Sequence, residues 1–440
     1  MERNNGRFET AKLWNRDFSL LVTGQIVSIF GNMILSFALP LYILDISESA
    51  ALFGLVLGLP YISLLIMSPI GGVMADRLRK QRIMFWLDLS TTVIIVLFMA
   101  ARGLLASAVP IVIVKLMALN AIQGMYMPAV QASVPALAPS DKLVPANSIT
   151  SMVNMLANML APAIAGILYS GFGLFPILLI SAICFAITAV LDLLIRIPFK
   201  KQSAAGNIAQ MIVSDISQSA RFVIKGKPIL AKTTAIMFLA SLTFTSLLFV
   251  GLPVLITQNL GLSMALVGVN QSVLMVGGLV GGILAGVLGS RFSVQKIHMT
   301  IAAIGIFLAP IGLSLMFDLP PFAVFVIITA AAALALVAGQ MCSIQLMAFI
   351  QGVTPSELIG KVMSIIMLLP FLASAFGMLL FGVLFERLAD LPWLVIFAVV
   401  FVSILIAMYT RKHFRKVKAP GAEEAQDVTP SGNCESKGQA

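Results

Sequence analysis

Twelve apolar stretches, each long enough to cross a bilayer, fill this chain, and nearly all of its positive charge falls on one side of them. A transmembrane helix needs about 20 mostly apolar residues. Such stretches run near 18–43, 51–74, 83–101, 108–129, 147–170, 174–196, 230–257, 264–289, 297–317, 321–349, 362–384 and 391–409. With the amino terminus placed in the cytoplasm, Arg77, Arg79, Lys80, Arg82, Arg196, Lys200, Lys201, Arg221, Lys225 and Lys227 fall inside. So do Arg291, Lys296, Lys361 and the Arg411–Lys418 cluster. The outer connections hold only Arg102 and Arg387, beside the acids Asp45, Glu48, Asp318, Glu386 and Asp390. Cytoplasmic loops carry the excess of Lys and Arg in membrane proteins, so span count and orientation support each other. The expected location is the plasma membrane of a bacterium, with both termini cytoplasmic.

Composition agrees. Hydrophobic residues make up 60% and charged residues 10% of the chain, with mean hydropathy +1.04. A soluble domain carries about 25% charged residues. In lipid the backbone must satisfy its own hydrogen bonds, and long continuous apolar runs fit helices rather than an alternating barrel. The net charge of +10 would suggest nucleic acid in a soluble protein. Here cytoplasmic Lys and Arg facing an anionic leaflet explain it, with membrane lipids as partners. Cys184, Cys342 and Cys434 suggest no disulfide or metal site. The histidines His298 and His413 both lie near the inner surface, and no nucleophile triad or phosphate-binding loop can be assembled. No cofactor or metal is expected. A membrane-embedded enzyme is the rival class, and the missing catalytic constellation argues against it. The first apolar stretch is too long for a signal-peptide core and reads as a retained helix.

The expected organisation is a cytoplasmic segment at 1–17, a six-helix half at 18–196, a linker at 197–229, a second half at 230–410 and a tail at 411–440. In the linker, Ile212, Ile216, Phe222 and Ile224 suit either a surface amphipathic helix or a flexible connection. The tail is basic at first. Beyond Lys418 it lacks large apolar residues and reads as disordered. An internal repeat links the halves. Gly72-Val-Met-Ala-Asp-Arg-Leu-Arg-Lys-Gln-Arg-Ile83 aligns with Gly286-Val-Leu-Gly-Ser-Arg-Phe-Ser-Val-Gln-Lys-Ile297. Pro139-Ser140-Asp141 has a weaker echo in Pro355-Ser356-Glu357. Parallel six-helix repeats place a substrate site between them near the membrane midplane. The fold class is therefore an all-α membrane protein with 12 transmembrane helices in two six-helix halves.

Gly72-x-x-x-Asp76-Arg77-x-x-Lys80-x-Arg82 resembles the signature between the second and third helices of the major facilitator superfamily. Met74 and Arg79 stand where Leu and a second Gly are common. Tyr126-x-Pro128-Ala129, Ser133-Val-Pro-Ala-Leu137, Ala146-Asn-Ser148, Ala161-Pro-Ala-Ile-Ala-Gly166 and Gly360-Lys-Val-x-Ser364 are similar to the macrolide-efflux-type branch of drug exporters. The resemblance covers about residues 13 to 410 and implies alternating access, a small-molecule substrate, proton antiport and a monomer. It also implies that the first, fourth, seventh and tenth helices line the cavity. The family's intramembrane Arg before a Gln-Gly pair is absent from Leu119-Asn-Ala-Ile-Gln-Gly124.

The resemblance makes Gly72, Asp76, Arg77, Lys80, Arg82, Asp88 and Arg291 the gating set. Asp88 lies two turns into the third helix, within expected reach of Arg77 or Arg82. The plain alternative is charge that only fixes topology. Lys115 is the ionisable residue farthest from both ends of a helix, and it either faces a cavity or snorkels outward. Asp192 stands four residues before Arg196, the spacing of an ion pair on one helix face. Gln25, Ser28 and Asn32 share a face of the first helix. With Asn120, Gln123, Gln340 and Gln345 they form the candidate cavity set, the alternative being hydrogen bonds between helices. Gly277, Gly278, Gly281, Gly282 and Gly286 give the spacing of close helix packing. The reading is an exporter of bulky amphipathic molecules. The alternative within the fold is an exporter or flippase for siderophore or lysophospholipid-like substrates.

Overall fold

The structure, a computed structural model, describes residues 14–100, 109–139, 142–197, 228–288, 294–354 and 359–414. Most of the expected linker, the tail beyond Phe414, Arg102, Arg291 and Cys434 lie outside the described residues, as do the side chains of Asp76 and Lys361. The described residues form twelve helices long and apolar enough to cross a membrane. They are α1 (Arg16–Ser47), α2 (Ala50–Arg77), α3 (Lys80–Ala100), α4 (Val109–Leu137), α5 (Leu143–Phe172) and α6 (Leu174–Leu194). The second half holds α7 (Ile229–Asn259), α8 (Met264–Leu288), α9 (Ile297–Ser314), α10 (Pro321–Val353), α11 (Ile359–Arg387) and α12 (Pro392–Phe414). The protein is thus a multi-pass membrane protein. The terminal face is the one where α1 begins and α12 ends, and the distal face is its opposite.

Several helices overrun their apolar stretch because polar ends continue the backbone ladder. Asn15 starts α1: its Oδ1 accepts from the Phe18 amide at 2.8 Å, and its Nδ2 donates to Leu137 O at the end of α4 at 2.9 Å. Ser49 caps α2 by accepting from the Leu52 amide at 3.2 Å. Only Glu48 and Ser49 separate α1 from α2, so Glu48 takes the left-handed conformation, φ 50°.

Helix α7 departs from regular geometry. Wide π turns occupy Ser241–Thr245, Leu247–Gly251 and Leu255–Asn259. Such turns release backbone groups that need other partners, and they recur at functional sites. Leu248 O accepts one from Gln271 Nε2 on α8 at 2.9 Å, which settles a carbonyl that lipid could not.

Glycines set close crossings between corresponding helix pairs of the two halves. In the first, Gly71 and Gly124 join α2 to α4; in the second, Gly277 and Gly281 of α8 lie against α10 at Ala333 and Val337. The halves meet through α2 with α11 and α5 with α8. Their apolar cores fuse at the distal end, where Leu41, Leu44, Ala50 and Phe53 join Leu247, Leu255, Phe381 and Phe385. At the terminal end the cores stay separate. One holds Phe18, Ala75, Ile83 and Ile195 of the first half, and another holds Ile236, Ile297, Phe349 and Phe414 of the second. The halves are therefore sealed on the distal side and parted on the terminal side.

Candidate functional site

The distal seal is built from backbone capping across the halves. A helix N-terminus leaves amides without intrahelical partners and favours negative charge. Glu386 near the end of α11 supplies both: its carboxylate accepts from the Ala51 amide of α2 at 2.9 Å and closely from Ser49 Oγ. The repeat-related contact is Ser170 of α5, whose Oγ accepts from the Ala265 amide of α8 at 2.9 Å. Gln258 Nε2 donates to Glu48 O at 2.9 Å, and the Ala163 amide donates to Ser272 Oγ at 3.1 Å. A cavity of about 780 Å³ lies at this seam, lined by Asp45, Glu48, Tyr169, Ser170, Thr257 and Gln258 among others.

Losing such a cap costs about 1 kcal/mol, which shifts a two-state equilibrium roughly five-fold. Glu386→Ala is therefore expected to let the distal face open more often. A cysteine placed at Thr257, in a background lacking the native cysteines, should react about five-fold faster with a membrane-impermeant maleimide applied from that face. An unchanged labelling rate would remove Glu386 from the seal.

The second-half residues Ile236, Met237, Ser241, Thr243, Phe244, Thr245 and Gln340 line a partly open cavity of about 200 Å³ among α7, α9, α10 and α12. Its walls are apolar with hydroxyl and amide groups, and π turns of α7 form one side. Gln340 is thus in a cavity wall. Gln345 is not. Five residues on, it points elsewhere, is 8% exposed, and both its amide atoms are buried without partners. Asn32, Asn120 and Gln123 are half-buried. Asn120 Nδ2 donates to its own helix at Leu116 O, 3.0 Å. Gln25 is buried with Oε1 unpartnered.

Among the gating set, Gly72 has open space where a Cβ would stand, Arg77 and Arg82 are exposed, and Lys80 begins α3 half-buried. Asp88 differs from the expectation of pairing with Arg77 or Arg82. Six residues turn a helix by about 240°, so Asp88 faces the bundle with Met84, Thr91 and Ile95 while Arg82 faces out. The expected Asp192–Arg196 pair is also displaced. Helix α6 ends at Leu194 and Ile195 is extended, so Arg196 is exposed and its amide donates to Asp17 Oδ1 at 3.0 Å. Asp192 stays 1% exposed. The sequence offered Tyr126 only as part of a motif and did not bring Asp192 within electrostatic reach of Asp88. Unusually deep acids in an apolar run were the available signal.

Lys115 is 5% exposed, and its Nζ lies 3.7 Å from the centroid of the Phe98 ring with no hydrogen-bond partner. The ring face attracts the ammonium. A cysteine at position 115 is accordingly expected to resist water-soluble thiol reagents from either face. Rapid labelling that a substrate blocks would place it in the pathway instead.

Comparison with known proteins fits this architecture. A family model described as Major Facilitator Superfamily matches residues 21–369, with a further match over 234–433. Macrolide efflux protein A of Streptococcus pyogenes is 23% identical over 418 residues, covering 92% of this chain and 98% of that protein. Macrolide efflux protein A of Enterococcus faecalis is 24% identical over 321 residues, covering 70% and 92%. Among solved structures, a bacterial homologue of the iron transporter ferroportin in an inward-facing state superposes with TM-score 0.67 at 16% identity, over 90% of this chain and 99% of that one. The nucleoside transporter NupG gives TM-score 0.69 at 13% identity, over 92% and 100%. The family-model match runs through both halves, and the chain belongs to the Major Facilitator Superfamily.

Proposed function

We propose that this chain exports bulky amphipathic small molecules of the macrolide kind, by alternating access and in exchange for protons. The terminal face is then cytoplasmic, and the conformation described is inward-open. The observation that carries the reading is the cavity beside α7. Its lining of Ile, Met, Phe and Leu with Ser, Thr and Gln is free of charged groups. Such a wall suits an apolar group oriented by a few polar contacts; at about 200 Å³ the cavity takes part of a macrolide in this conformation, not the whole molecule. Similarity to macrolide efflux proteins over nearly the whole chain supports the same substrate class. In this reading Asp76 and Arg77, with Lys80, Arg82 and Arg291, latch the cytoplasmic side in the opposite state, and the protein works as a monomer.

The test is accumulation of radiolabelled erythromycin in cells that overproduce the protein, compared with cells that lack it. Lower accumulation, reversed by a protonophore, is the expected result. Equal accumulation of erythromycin with equal susceptibility to macrolides and cationic dyes would overturn the drug reading. A changed export of lysophospholipid or siderophore in the same cells would then point to the other substrate class.

A further inference from the structure

The first half encloses acidic and basic side chains at membrane depth, and the described residues of the second half have no Asp, Glu, Lys or Arg there. Asp88 of α3 and Asp192 of α6 are 2% and 1% exposed, and Oδ2 of each is buried without a hydrogen-bond partner. They face one another across the α3–α6 contact closely enough to interact electrostatically, and both act on Tyr126 of α4. Ser28 of α1 lies beside the Tyr126 hydroxyl. Gln25, one turn from Ser28, has a buried and unpartnered Oε1. Its chain neighbour Gly24 lies where α1 crosses α6 at Thr188 and Leu191, next to Asp192.

Among the described residues the surroundings offer no fixed countercharge. Helix α1 contributes Asp17, held at its terminal end by the Arg196 amide. Helix α4 contributes Tyr126 and, roughly 16 Å farther along its axis, Lys115, which Phe98 covers. Helix α5 brings Tyr169, bound to Asp45 at the distal end. Helix α6 brings Cys184 at its midpoint, and Arg77 of α2 is exposed. A carboxylate buried without a partner neutralises rather than staying charged, and intramembrane acids of this kind mark proton relays. Along α3, Gln81 lies on the same stripe as Asp88, seven residues nearer the terminal face, and its Oε1 is also buried and unpartnered.

We propose that Asp88 and Asp192, with Tyr126 and Gln25 beside them, form the proton-carrying site of the transport cycle. The proposal rests on the antiport reading above. It locates the coupling ion in the first half, apart from the apolar cavity of the second. In the step, an Oδ2 lone pair takes a proton from water on the distal side and forms an O–H bond. The same bond breaks on the terminal side and returns the proton to water. The net exchange is one proton inward against substrate outward, with no oxidant or reductant.

The test uses the full-length protein in phosphatidylethanolamine and phosphatidylglycerol vesicles. Infrared difference spectra of the substrate-free protein, stepped in pH in sodium-free potassium buffer, should contain a carboxylic-acid carbonyl band that titrates. Asp88→Asn and Asp192→Asn should each remove or shift it. The same variants should lose erythromycin accumulation driven by a pH gradient while keeping downhill exchange. A band that never titrates, or one unchanged by both substitutions, overturns the proposal. So does gradient-driven accumulation that survives in both variants, or a pH response that appears only with sodium. If wild-type protein moves no erythromycin, the export reading fails by itself, and the infrared titration still decides the proton site. Should the Asn variants not accumulate, Asp88→Glu and Asp192→Glu retain a carboxyl, and each should shift the band rather than abolish it.

Discussion

A Gly268→Leu variant is expected to transport at less than about a tenth of the wild-type rate per molecule, because the side chain forces α5 and α8 apart at the distal seal. A Cβ at Gly268 would collide with the Pro162 carbonyl and stand 3.1 Å from Gly166 Cα. From the other side, a Cβ at Gly166 would stand 2.9 Å from Met264 O. Both contacts are with backbone, which a rotamer change cannot relieve. Overpacking of this kind costs about 1–3 kcal/mol, a shift of roughly five- to a hundred-fold away from the sealed state. The measurement is transport in vesicles at matched protein content, together with maleimide labelling of a cysteine at Thr257. Slow transport with fast distal labelling is the expected pair. Wild-type transport would mean that the crossing loosens without consequence. Gly278→Ala is the control, since its Cβ would make only an ordinary 3.6 Å contact with Leu336. The partner crossing behaves alike: a Cβ at Gly54 would run into Met378 O of α11 and stand 3.1 Å from Gly382 Cα.

The spans were legible because lipid leaves the backbone few choices. Once a run is apolar over 20 residues it must be helical, and the repeat around Gly72 and Gly286 already equated α2 with α8. What the sequence concealed are contacts between distant positions. Asp88 and Asp192 are 104 residues apart, and each has a nearer Arg that local spacing favours. The rotation of Arg82 away from Asp88 decides one case and the end of α6 at Leu194 the other. Glu386 and Ala51 are separated by 335 residues, and nothing near Glu386 announces that it caps a helix of the other half. Gln340 and Gln345 looked equivalent in the chain. Five residues place them about 140° apart on α10, so only Gln340 reaches the cavity beside α7. Only Gly251 and Pro253 hinted at the π turns of α7, since the rest of Ser241–Asn259 is compatible with a regular helix.

Gly72 lies 18 residues after Gly54 on α2, and Gly286 lies 18 after Gly268 on α8. Eighteen residues are five full turns, so each helix carries a glycine at both ends of one face. The distal pair is in contact with the opposite half. The terminal pair is not: nothing stands within 4 Å of a Cβ built at Gly72 or Gly286. A glycine with open space in one state is of use where the same face closes in another. Rocking the halves against one another would part α2 from α11 and α5 from α8 distally and bring their terminal ends together. Gly72 and Gly286 then meet the contacts that Gly54 and Gly268 meet now. Gly72→Leu and Gly286→Leu are therefore expected to fold and accumulate like the wild type, since the side chains enter empty space here. Their transport should fall below about a tenth, the overpacking penalty arising only in the closing step. Cysteine accessibility in the cleft should remain high from the terminal face and should not fall when substrate is added. If either variant transports at the wild-type rate, or loses abundance instead, the terminal glycines do not form the second contact.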